Sequence, residues 1–91
     1  MNIKRRFFAD VVAGTKKIEY RRKSPFWARR IGPLETPFRL RLLNGMTHPV
    51  PEATVIVERV TLGRSPPEYR LHLGRILSVK RWSTKNRSSR A

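Results

Sequence analysis

Phe38, Leu40 and Leu42 alternate with Arg39 and Arg41. A period of two with one apolar set is a strand, half-buried on that side and cationic on the other. Asn44-Gly45 follows, a dipeptide suited to tight turns. The stretch from Met46 to Glu52 carries Pro49 and Pro51 and reads as an irregular connection. Thr54 to Leu62 is rich in Val and Ile and predicts a buried strand, with a loop over 63–67. Tyr69, Leu71, Leu73, Leu77 and Val79 mark a last long strand, bent or bulged near Gly74.

The first third of the chain has a different period. Phe7, Phe8, Val11 and Val12 fall at helical spacing, predicting a helix over 6–13 that Gly14 stops. A strand over 17–21 follows, with Ile18 and Tyr20 on one face and Lys17, Glu19 and Arg21 on the other. Ser24-Pro25 is an N-cap with proline in the first turn. Phe26, Trp27, Ala28 and Ile31 make the second, short helix, closed by Gly32-Pro33. The class is α+β: a small sheet, curled or closed into a barrel, with one or two short flanking helices.

Ninety-one residues sustain one core, placed here in a domain over 1–82. Residues 83–91 are mostly Ser, Lys, Arg and Asn and read as a flexible basic tail. The chain has 21 Lys plus Arg against 6 Asp plus Glu, a net charge of +15 distributed along its whole length. Such an excess suits a polyanionic partner, meaning RNA, DNA or a phosphorylated nucleotide, although a purely solubilising role has the same composition. With no cysteine, disulfide frameworks, thiolate zinc sites and cysteine nucleophiles are excluded. His48 and His72 cannot form a zinc site without carboxylates, so no metal or cofactor is expected. No apolar run is long enough to span a bilayer. Asp10 breaks the apolar stretch that follows the basic start, which makes that stretch part of the fold rather than a secretory signal. A cytoplasmic monomer without membrane contact is the expectation.

One segment is more specific. Gly14-Thr15-Lys16-Lys17-Ile18-Glu19-Tyr20-Arg21 resembles the Gly-x-Lys-x-x-Glu-x-Arg signature of the ASCH family, a branch of the PUA-like superfold. Leu42-Leu43-Asn44-Gly45, Pro51-Glu52 and the run from Arg70 to Leu77 are similar to later parts of bacterial and phage ASCH proteins, extending the resemblance over roughly residues 5 to 80. It implies a PUA-like β-barrel of about five strands with a cleft where the signature meets the barrel. It also implies RNA binding or, as in some small members, hydrolysis of the acyl amide of N(4)-acylated cytidines.

In those hydrolases the working groups resemble a lysine after Gly-x, a threonine three residues on and a distant glutamate. Lys16 matches the lysine, Glu19 stands where the threonine would be, and Glu68 is the best placed counterpart of the glutamate, with Glu58 second. Amide cleavage needs a base for water and a donor for the oxyanion. Lys16, Glu19 and Glu68 are therefore the catalytic candidates, and Tyr20, Arg21, Arg22 and Trp27 the substrate-binding ones. Tyr20 serves either as a stacking platform for a pyrimidine or as core, and Trp27 either as core or as a lid. Strict alternation puts Lys16 and Glu19 on opposite faces, so the motif forms one site only if Lys16 lies in the turn after Gly14. Without the resemblance, the same run reads as an exposed ion-pair ladder. The function expected is an amidohydrolase acting on N-acylated cytosine nucleosides, with a non-catalytic RNA-binding module as the alternative.

Overall fold

A computed structural model describes residues 1–82; the segment 83–91, expected as a basic tail, lies outside the described residues. In chain order the elements are helix α1 (Arg5–Ala13), strand β1 (Ile18–Arg22), helix α2 (Pro25–Ile31), and strands β2 (Phe38–Leu43), β3 (Glu52–Arg64) and β4 (Pro67–Lys80). The strands form one antiparallel sheet in the order β1-β4-β3-β2. The expected α+β class is present. The sheet is open, with four strands among the described residues rather than a closed barrel of about five.

Each element has a local cause. Helix α1 ends at Gly14, whose φ of 79° is left-handed and closes the helix without a Cβ penalty. Helix α2 begins at Ser24, whose Oγ accepts a hydrogen bond from the Trp27 N–H at 3.3 Å, and Pro25 occupies its first turn. The β3–β4 hairpin is regular from Arg64↔Pro67 to Arg59↔His72 and then slips: Val57 opposes Leu73, and Val55 opposes Ile76. The first slip leaves Glu58 as the extra residue on β3, and the second leaves an extra residue on β4 at 74–75, where the bend or bulge near Gly74 is expected. A Cβ on Gly74 would stand 2.7 Å from the Glu58 side chain, so the bulge requires glycine or a displaced Glu58.

The core lies on one face of the sheet, beneath the helices. Leu42, Val55, Val57 and Leu71 are fully buried there with Phe8 of α1, and Val11 and Ile31 join them. Burying each such side chain contributes about 1.5–3 kcal/mol relative to exposure. Trp82, the last described residue, packs its ring 4.9 Å from that of Phe8.

The edges of the sheet position the site. Residues 1–3 run alongside β2 in parallel: the Leu43 N–H donates to the Met1 carbonyl and the Ile3 N–H to the Leu43 carbonyl, each at 2.8 Å. This covers the C-terminal end of the β2 edge, which would otherwise expose unpaired backbone groups. The sheet curls far enough that Arg21, on the opposite edge strand, donates from Nη2 to the Asn2 carbonyl at 2.9 Å. Side-chain contact thus bridges a gap that no backbone ladder closes.

Candidate functional site

The gap between the two edges is a cleft of about 730 Å³. Its walls are the N-terminal segment at Asn2–Lys4, Phe7 of α1, β1 with the residues before it, and the Asn44-Gly45 turn. Asn2 and the turn hold each other: Asn2 Nδ2 donates to the Gly45 carbonyl at 2.6 Å, and the Gly45 N–H to Asn2 Oδ1 at 3.3 Å.

Lys16 enters the cleft because of the turn before it. The Asp10 carbonyl accepts from the Thr15 N–H at 2.9 Å, the Thr15 hydroxyl at 3.2 Å and the Lys16 N–H at 3.1 Å. Those bonds hold Thr15 and Lys16 against the end of α1, outside the regular strand that starts at Ile18. Lys16 is thereby freed from strand alternation, the condition under which the motif forms one site. Its Nζ lies 3.2 Å from Glu19 Oε1, 4.9 Å from the Phe7 ring centroid and 5.7 Å from that of Tyr20.

Glu19 sits at the centre, only 6% exposed. Arg21 Nη2 holds its other oxygen, Oε2, at 2.6 Å. The Arg21 guanidinium also lies over the Trp27 ring at 5.1 Å, and its Nε is buried with no hydrogen-bond partner among the described residues. Of the two faces of β1, the one carrying Glu19 and Arg21 is thus the inner one. Glu19, opposite the fully buried Leu71, points to the core side, while Tyr20 is 50% exposed. Pairing with β4 sets this register. Two cations compensate the buried carboxylate, which alone would be costly in an apolar setting.

The structure brings Lys16, Glu19, Tyr20 and Arg21 together in the cleft and leaves the other candidates outside it. Glu68 lies at the start of β4, in the opposite phase to buried Tyr69 and Leu71, with its carboxylate on Arg70 Nε at 3.0 Å. Arg22 opposes Glu68 across the β1–β4 ladder and is exposed. Glu58 is exposed beside Gly74. Trp27 backs Arg21 and lines a neighbouring groove, as does Phe26. Sequence reasoning missed Asn2, Phe7, Asn44 and Gly45 as walls. Asn44-Gly45 carried a turn signal, whereas only the curl of the sheet gives Asn2 its place.

Among the described residues no group of three or more His, Cys, Asp or Glu side chains could hold a metal ion. No helix among them is long and apolar enough to cross a membrane. Comparison with protein-family models, curated proteins and solved structures gives no match for this chain.

Proposed function

We propose that the chain is an RNA-binding module of the ASCH type whose cleft takes one unpaired cytosine-bearing nucleotide. The observation that carries this reading is the convergence of Lys16, Glu19, Arg21 and Tyr20 in one cleft. Each has a part that fits a nucleotide. The exposed Tyr20 ring offers a stacking face, a contact every base can make. Glu19 uses two of about four lone-pair positions on Lys16 and Arg21, leaving acceptor capacity for an exocyclic amine such as that of cytosine. Lys16 supplies donors for a base carbonyl or a phosphate. The net charge of +15 supports attraction to the rest of the strand.

Fluorescence anisotropy with labelled oligocytidylate and oligoadenylate tests this reading. Tighter binding of the cytidylate, weakened about tenfold or more by Tyr20→Ala, is expected. Equal affinity for both oligomers, unchanged in Tyr20→Ala, would sink it.

The 3.2 Å approach of Lys16 to Glu19 favours a second reading, hydrolysis of N(4)-acylated cytidines. In that chemistry Glu19 activates water and Lys16 stabilises the oxyanion, and Lys16→Ala lowers turnover at least about a hundredfold. Binding is the better supported of the two. Glu19 is engaged by both cations, and Glu68, the expected second carboxylate, is not among the residues lining the cleft. Incubating the protein with N(4)-acetylcytidine and following cytidine release by ultraviolet absorbance separates the two readings.

A further inference from the structure

Behind the Arg21–Trp27 contact lies a second cavity, a groove of about 350 Å³. Phe26, Trp27, Leu34 and Phe38 form its apolar surface, and Arg30 is the charged residue among those lining it. Phe26 is 46% exposed, and the Arg30 guanidinium lies 3.5 Å from its ring centroid. The sequence places Phe26 among the apolar residues that make the second helix. Its exposure in a small and strongly charged chain makes it an aromatic platform that carries a cation.

We propose that this groove is a second stacking subsite for the base next to the one in the first cleft, on the same RNA strand. The inference rests on the RNA-binding reading and extends it from one nucleotide to at least two. Three observations commit the groove to a base rather than to an apolar peptide. Arg21 joins the two cavities, lining the first and stacking on Trp27, which lines the second. No carboxylate lines the groove, and two of its aromatic rings carry cations, Phe26 beneath Arg30 and Trp27 beneath Arg21. Aromatic side chains flanked by arginine hold unpaired bases by stacking, with the cation adding to the contact.

The test measures labelled oligocytidylates of two and eight nucleotides, and cytidine monophosphate as a competitor, against the unmodified protein and its variants. Phe26→Ala should weaken the eight-nucleotide probe about tenfold, the scale of one lost stacking platform, while leaving competition by cytidine monophosphate unchanged. Tyr20→Ala should weaken both. Phe26→Tyr, which keeps the ring, should restore binding, and an unchanged melting temperature in Phe26→Ala excludes a folding defect. Unchanged affinity of Phe26→Ala for the longer probe, with Tyr20→Ala still impaired, overturns the second subsite and leaves the first cleft standing. Absence of RNA binding by the unmodified protein overturns both.

Discussion

Glu19 is the residue through which folding and binding meet. Its side chain is almost buried, yet it holds Lys16 and Arg21 within 3.2 and 2.6 Å. Replacing it with Gln leaves two cations close together and without their counterion, at side-chain exposures of only 13% and 21%. Loss of charged hydrogen bonds at such a site costs about 1.5–3 kcal/mol, so Glu19→Gln should lower the urea midpoint clearly. The preference for oligocytidylate should fall with it. Lys16 is held by Glu19 through Oε1 at 3.2 Å. Lys16→Ala should still cost at most about 1 kcal/mol, because Arg21 continues to hold Glu19. A larger loss in Lys16→Ala than in Glu19→Gln would reverse this order of importance.

At the scale of elements, the turn between α1 and β1 places the lysine. Gly14 has a φ of 79°, and nothing lies within 4 Å of where its Cβ would be, so the penalty for a side chain is purely conformational. Gly14→Ala should destabilise by about 1–2 kcal/mol. If the backbone relaxes to relieve that strain, Lys16 moves from Glu19 and RNA affinity falls as well. Calorimetry and anisotropy on the same variant read both effects. A melting temperature equal to that of the unmodified protein would mean the turn tolerates a side chain.

This turn also divides what was legible in the sequence from what was not. The Phe7, Phe8, Val11 and Val12 stripe gave α1, and Ser24-Pro25 gave the start of α2, because helix periods and caps are local signals. The Phe38–Leu42 alternation gave β2 with Leu42 inward and Arg39 and Arg41 outward. In β1 the same rule separates the two faces but does not decide which of them is the inner one. β1 is an edge strand whose phase is set by pairing Glu19 with Leu71 and by the two cations that make a buried carboxylate tolerable. Neither is a local feature. The cleft was half legible on the same grounds: one run of eight residues carried Lys16, Glu19, Tyr20 and Arg21, whereas Asn2 and Phe7 reach it only through the curl of the sheet. Phe8 bears most directly on that curl, since it joins α1 to the sheet with no exposed surface. Phe8→Ala should cost about 3–5 kcal/mol, enough to leave a small domain largely unfolded near body temperature, with loss of cooperative thermal unfolding as the readout.

For the molecule as a whole, charge sets folding and binding against each other. The five ion pairs found among the described residues draw on three carboxylates, Glu19, Glu52 and Glu68, while the chain carries 21 basic side chains. A net charge of +15 repels itself in the compact state, so the fold is stabilised by counterions. RNA binding runs the other way, because each phosphate neutralised releases counterions that added salt makes harder to release. Raising salt from about 50 to 200 mM should therefore increase the melting temperature while weakening RNA. If about four phosphates are contacted, a single-strand slope near −0.7 per phosphate gives roughly a fiftyfold loss of affinity over that range. Opposite signs in the two titrations, measured on one preparation, are expected if the excess charge serves a polyanion. If affinity proved insensitive to salt, stacking in the clefts would have to carry the whole interaction, and the charge would be left with solubility as its role.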